Sequence, residues 1–294
     1  MHITVLLHEA VDALAIKPGG IYIDGTFGRG GHSRLILSKL NECGQLIAID
    51  KDLEAVATGQ TINDERFSIK HGDFSGLQQV LQGIGITQVD GILLDLGMSS
   101  PQLDEASRGF SFGSDGLLDM RMDTSRGQTA AEWLASVSES QLGEVIRDYG
   151  EERYAKQVAR AIVVSRTRQP IVTTFQLAEI VAPVVRSCGG RRENKQNPAT
   201  RTFQAIRIYL NQELEGLSLI LPQCVSLLKP GGRLVVISFH SLEDRIVKHK
   251  FKEIFQTDKN IAKILTKRPL RPSEEEVLEN KRSRSAKLRV IQRL

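Results

Sequence analysis

Asp24 closes an apolar run, Ile21-Tyr22-Ile23, and opens a glycine-rich stretch, Gly25-Thr26-Phe27-Gly28-Arg29-Gly30-Gly31-His32-Ser33. A glycine turn entering a helix usually offers bare N–H groups to a pyrophosphate. A carboxylate at its mouth repels a pyrophosphate and suits a cationic ammonium or sulfonium. The pairing therefore favours S-adenosylmethionine over a nicotinamide dinucleotide. Asp50 ends a second run, Leu46-Ile47-Ala48-Ile49, where an acid can take both hydroxyls of a ribose. Asp73 ends a third, and could accept the amino group of an adenine while Phe74 packs on the ring; ordinary core is the competing reading for Phe74. Asp95 ends a fourth and leads into Leu96-Gly97-Met98-Ser99-Ser100-Pro101-Gln102-Leu103-Asp104. Asp95, Ser99, Ser100 and Gln102 offer oxygens that could pull on the N–H bonds of a conjugated amine and make it nucleophilic. Local capping of a Ser-Pro turn explains the same residues equally well. Ser241 with Asp244 makes a capping-box pattern; His240 could instead touch substrate and His32 could be a helix cap or a ligand contact, with the structural reading preferred for each.

Four acids at strand ends imply elements that hold them in one row. Strand signals at 20–23, 45–49, 67–70 and 91–94 alternate with helical patterns at 32–40, 53–61 and 74–82. Such βα repeats predict a parallel sheet that binds ligands beyond its carboxyl edge. From 105 to 207 strand signals are sparse and helical patterns dominate, at 130–134, 138–149, 152–167, 174–185 and 200–215. The segment 188–198 reads as an exposed loop. The α/β pattern returns with a helix at 217–228, a turn at 229–233 and a buried strand at 234–239; the basic tail ends as a strand or an extended arm. The expected class is α/β, a Rossmann-like domain formed by 1–104 and 208–294, interrupted by a mostly helical insertion at 105–207.

Composition narrows the partners. The chain has 294 residues, 40% hydrophobic and 25% charged, with a net charge of +4. Its start lacks a signal-peptide pattern, and no apolar run approaches the roughly 20 residues of a bilayer span. Three scattered cysteines, Cys43, Cys188 and Cys224, argue against disulfides or zinc, fit a cytoplasmic protein, and are expected to be buried and inert. Residues 263–294 carry ten Lys/Arg against four Glu, and Arg186, Arg191, Arg192, Lys195 and Arg201 form a second basic cluster. Either suits a phosphate backbone, and either could be only a solvated face.

Longer motifs carry a resemblance. Asp24 to Ser33, Asp95 to Asp104, Arg108-Gly109-Phe110-Ser111-Phe112, Leu118-Asp119-Met120-Arg121-Met122-Asp123 and Tyr149-Gly150-Glu151-Glu152-Arg153 belong to it. So do Asn197 to Ala205, Ser238 to Arg245 and Arg282 to Arg289. The sequence resembles the bacterial ribosomal RNA small subunit methyltransferase H family, also called MraW, from residue 4 onward. The resemblance implies transfer of a methyl group from S-adenosylmethionine to the N4 amine of a decoding-region cytidine in 16S rRNA. It implies cofactor contacts at Gly30, Gly31, His32, Asp50, Phe74, Asp95 and Gln102, and an inserted domain that recognises substrate. Two positions depart mildly: Asp73 stands where relatives often carry Asn, and Asn197 where many carry His. On this reading Asp24 faces the methionine end, and Asp95 or Ser99 serves the amine. Phe110 and Phe112 are stacking candidates for a base that must leave its stack, and a core role for them is equally open. No metal, no membrane and a 16S rRNA partner, within the small ribosomal subunit, are expected; monomer and homodimer both remain open. A dehydrogenase sharing the βαβ plan and a non-catalytic RNA-binding module are the rival readings.

Overall fold

The computed structural model describes residues 3–189 and 197–294. In chain order the elements are α1 (Leu7–Ala13), β1 (Ile21–Asp24), α2 (Gly31–Lys39), β2 (Gln45–Asp50), α3 (Leu53–Gln60), β3 (Phe67–His71), α4 (Leu77–Gly83) and β4 (Val89–Asp95). There follow α5 (Ser100–Asp104), α6 (Ala130–Ser136), α7 (Glu139–Gly150), α8 (Ala155–Arg166), α9 (Thr174–Gly189) and α10 (Thr200–Leu210). The chain continues through α11 (Glu213–Leu227), β5 (Leu228–Ser238), α12 (Ser241–Thr257), β6 (Ala262–Ile264), α13 (Glu274–Glu279) and β7 (Lys287–Arg293). They form two compact units, residues 1–97 with 214–294, and residues 98–213.

The first unit is a seven-stranded sheet in the order β3-β2-β1-β4-β5-β7-β6. The first five strands are parallel; β7 runs antiparallel to both its neighbours. Near-continuous burial of β4, Val-Asp-Gly-Ile-Leu-Leu-Asp, is what a central parallel strand covered on both faces requires. Strand order reverses between β1 and β4, so the ligand crevice of this architecture falls at their carboxyl ends. One face packs Phe74, Leu77, Leu221, Val247 and Phe251 against the strands. The other packs Leu6, Val11, Ile36 and Leu40.

The second unit has its own core. Trp133, Leu142, Ile146, Val158, Ile162, Leu177, Val181 and Phe203 meet in it, contributed by α6 to α10. Thr129 and Glu132 form a capping box that starts α6.

Several expectations are corrected. The unit boundaries lie at 97/98 and 213/214 rather than 104/105 and 207/208, because Met98 and Leu103 pack on the second core. The helix expected over 200–215 breaks at Asn211 and Gln212, where Gln212 takes φ 50°. Asn211 turns back to donate to Met120 O at 2.8 Å and accept from Met122 N at 2.7 Å. The turn at 229–233 lies inside β5 as an irregularity: pairing with β4 jumps from Val89–Leu228 to Gly91–Arg233, and Gly231 has φ 81°. Only Cys224 is buried; Cys43 and Cys188 are exposed, in a turn and in the last turn of α9. Phe110 is 6% exposed and Phe112 packs edge-on against Phe203 at 4.9 Å, so both serve the second core rather than a free stacking platform. Cys188 and Gly189 belong to α9; residues 190–196, with Arg191, Arg192 and Lys195, lie outside the described residues, and Asn197 at the end of the expected loop accepts from Ala199 N at 2.9 Å.

Candidate active site

Parallel pairing of β1 with β2 and with β4 brings Asp24, Asp50 and Asp95 to one edge. Asp24 is 1% exposed. Its Oδ2 accepts from Ser33 Oγ at 2.6 Å and its Oδ1 from Thr26 N at 3.2 Å. The loop thus folds over the carboxylate and leaves its charge directly beneath. Burial raises Asp24 to about 6, against the pull of the Ser33 and Thr26 hydrogen bonds.

Asp50 clamps the loop from the side. Its Oδ2 accepts from Gly28 N at 2.7 Å and its Oδ1 from Asp52 N at 2.8 Å. Burial raises its pKa as well. Glycine is needed at two positions of the loop. Gly30 sits at φ 72°, and a Cβ there would meet the Phe27 ring at 2.5 Å. At Gly31, the first residue of α2, a Cβ would collide with the Thr4 side chain. The bare backbone lets Thr4 lie against the helix start.

Asp95 closes the row. Its backbone N–H donates to Thr26 Oγ1 at 2.6 Å, tying β4 to the loop after β1. Its Oδ2 lies 3.6 Å from Nδ1 of His32, which is buried in the first turn of α2. Its Oδ1 is buried and has no hydrogen-bond partner among the described residues. Burial first, then the charges of Asp24 and Glu243, raise the Asp95 pKa well above the usual carboxylate range. A buried acceptor without a donor is costly unless a ligand supplies one. A cation over three crowded carboxyls relieves their repulsion as well. Glycine cradle, buried anions and the unpaired Asp95 oxygen together fit a sulfonium nucleoside.

Asp73 and Phe74 stand at the end of β3. Asp73 Oδ1 accepts from Ser75 N at 2.8 Å, and its Oδ2 lies 3.3 Å from Lys51 Nζ. Burial pushes its pKa up, but the Lys51 ammonium and the Ser75 N–H outweigh burial and leave it lowered. The same ammonium lies 5.9 Å from the centre of the Phe74 ring. Phe74 is 9% exposed and belongs to the core as much as to an adenine face.

Ser99 and Gln102 belong to the second unit. They form a capping box at the start of α5, with Ser99 N donating to Gln102 Oε1 at 3.0 Å. His240, not Ser241, is the N-cap of α12, in a capping box with Glu243 rather than Asp244. Glu243 Oε2 accepts from Phe239 N at 2.8 Å. Asp244 instead binds Lys287 at 2.9 Å and Arg289 at 2.6 Å.

Sequence reasoning assigned no role to Thr26, Ser33, Lys51 or Glu243. A hydroxyl two residues after Asp24, and another two residues into the following helix, were the available signals for the first pair. Lys51 directly follows Asp50 and was equally visible. Glu243 becomes part of the site only through β4–β5 pairing, which has no local signature.

The sequence profile of the MraW methylase family matches residues 1–294. A protein of Nitrosospira multiformis named ribosomal RNA small subunit methyltransferase H is 61% identical over 309 residues, covering 100% of this chain and 97% of its own. The protein of that name from Nitrosomonas europaea is 60% identical, with 100% and 98% covered. Among solved structures, an rRNA methylase from Streptococcus thermophilus is similar at 11% identity and a TM-score of 0.43, with 100% and 99% covered. The chain belongs to the MraW methylase family, and S-adenosylmethionine is its methyl donor.

Proposed function

We propose that this protein methylates the N4 amine of a decoding-region cytidine in the 16S rRNA of the small ribosomal subunit. Full-length identity of 61% to a protein named ribosomal RNA small subunit methyltransferase H carries the RNA assignment. The buried Asp95 Oδ1 at the carboxyl end of β4 supports an amine as the acceptor. A cytoplasmic setting accords with this, and no helix among the described residues is long and apolar enough to cross a membrane.

S-adenosylmethionine, when bound, supplies an electrophilic methyl carbon on sulfur. Asp24 and Asp50 hold negative charge beneath and beside the glycine loop, which suits its ammonium, sulfonium and ribose groups. Asp73 and Phe74 are placed for adenine recognition, and Gly30, Gly31 and His32 form the floor of the cradle. Gln102 is the further contact proposed from the second unit. Asp95 accepts an N–H of the cytosine amine. That lone pair is delocalised into the ring, and an acceptor on the N–H favours the pyramidal, nucleophilic form. As the new N–C bond forms, the amine gives up a proton, and the raised pKa of Asp95 makes its Oδ1 a competent acceptor. Ser99 is the second oxygen proposed for the amine. Unit 98–213 serves substrate recognition.

The test is a labelled methyl-transfer assay on small subunits from cells lacking this activity, followed by nucleoside analysis. N4-methylcytidine from the native protein, and its loss in Asp95→Asn at saturating S-adenosylmethionine with melting temperature retained, is the expected result. Methyl transfer to another atom, or loss of folding together with activity in Asp95→Asn, would overturn the reading.

A further inference from the structure

We propose that the outward face of α12 is a docking surface for the phosphate backbone of the RNA, leading away from the methyl-transfer edge. The inference rests on the RNA methyltransferase reading above. It concerns a surface outside the glycine loop, the 98–213 unit and the basic tail.

The helix begins at the site. Its N-cap follows β5, whose Ile237 O accepts from Leu96 N at 2.9 Å just beyond Asp95. Phe239 lies against Gly97, 3.2 Å from where a Cβ would stand. Burial of Leu242, Val247 and Phe251, with Ile246 and Ile254 beside them, fixes which side of α12 faces the core. The opposite side is then determined by helical spacing. Arg245, Lys248, His249 and Lys252 fall at i, i+3, i+4 and i+7, and all four are exposed. The stripe spans about 10 Å at 1.5 Å per residue.

Beyond Arg245, the stripe carries no ion pair of its own among the described residues. Neither Lys248, His249 nor Lys252 makes an ion pair among the described residues. The two acids nearest in sequence are committed elsewhere. Glu253 pairs with Lys250 at 2.9 Å, and Asp244 is held by Lys287 and Arg289. A face that served only solubility would interleave signs. Here Lys248 and Lys252 carry like charge one turn apart, a cost that a polyanion removes. The same side of the helix continues past Lys252 to Gln256. A base delivered to Asp95 drags its flanking phosphates across whatever surface adjoins the end of β5, and α12 starts there. RNA is favoured over an acidic protein because the reaction itself brings a polyanion to the root of this helix.

The experiment compares the native chain, Lys248→Ala/Lys252→Ala and a control of equal charge change, Lys39→Ala/Lys70→Ala, both exposed and outside the 98–213 unit. Binding to small subunits with unmethylated 16S rRNA is measured across a salt series, with S-adenosylmethionine affinity and melting temperature recorded for each. Two lost phosphate contacts flatten the slope of log K against log salt by about 1.4, at about 0.7 per single-strand phosphate. That change in the stripe variant alone, with cofactor affinity unaltered, is expected. An unchanged slope, or an equal change in the control, would overturn the proposal. So would an unchanged RNA slope with weakened binding to polyglutamate, which indicates an acidic protein partner. Failure of the native chain to methylate the subunits would instead remove the functional reading beneath it.

Discussion

Thr26 Oγ1 accepts the backbone N–H of Asp95 at 2.6 Å. One hydroxyl thus couples the loop after β1 to the end of β4, the two segments whose separation sets the width of the crevice. Thr26→Val keeps the shape and removes the acceptor. Leaving that N–H without its partner costs about 1–3 kcal/mol. The expected outcome is a fall in kcat larger than the rise in KM for S-adenosylmethionine, because the displaced strand end carries Asp95. A steady-state comparison of the two constants checks it.

The buried acids give stability and binding opposite pH dependences. Asp24 is raised to about 6, and Asp50 and Asp95 are raised too, so each binds its proton more tightly folded than unfolded. Their contribution to the stability of the ligand-free protein is therefore full below the unfolded pKa near 4; that of Asp24 is lost as pH rises through about 6, and those of Asp50 and Asp95 as pH rises through their own raised values. Affinity for a sulfonium moves the other way, strengthening as the carboxylates charge. Melting curves with and without S-adenosylmethionine, at about pH 5 and about pH 7.5, should show the ligand-induced shift growing with pH. A shift independent of pH would show that these acids do not sense the cofactor.

Gly31→Ala drives a Cβ into Thr4. Because that contact lies at the first residue of α2, the expected loss is about tenfold or more in S-adenosylmethionine affinity, equivalent to about 1.4 kcal/mol. Thr4→Gly removes the obstructing side chain and should restore most of it. Calorimetric titration of the single and double variants measures the coupling.

In the second unit, Arg207 holds Glu213 through two hydrogen bonds of 2.9 Å, both residues being nearly buried. Arg207→Met leaves a buried carboxylate alone and should cost about 3–5 kcal/mol, whereas Arg207→Met/Glu213→Leu should cost much less. Trp133 is the one tryptophan of the chain and sits in that core. Its fluorescence during urea unfolding reports this unit separately.

The sheet and its row of acids were legible because their signals are local: apolar runs of strand length, each closed by an aspartate, separated by helical periods. The second core was legible as helices but not at its edges. Met98 and Leu103 look like loop residues in sequence and become core only by packing. Asn211 and Gln212 sit inside a helical period, and the break comes from the Asn211 side chain capturing Met120 and Met122 some ninety residues away. The α12 cap was misplaced by one residue because Ser-x-x-Asp fits the capping pattern better than His-x-x-Glu; pairing of Asp244 with Lys287 and Arg289 decides it. Roles for Asp73 and Phe74 were plausible from position, whereas the ammonium of Lys51 between them required coordinates.

The β4–β5 pairing has a kinetic price. Strands β3, β2, β1 and β4 pair within the first 95 residues, but the partner of β4 on its other side begins only at Leu228. Contacts so distant in sequence form slowly, while the helices encoded between them close over short distances. During refolding, β4 therefore presents an apolar, unpaired edge until β5 arrives. Edges of that kind template association between chains. Refolding yield should fall steeply with protein concentration, and a fragment ending at Gly97 should aggregate where the whole chain stays dispersed. The strand that carries Asp95 to the crevice is also the point at which assembly of this protein is most exposed to error.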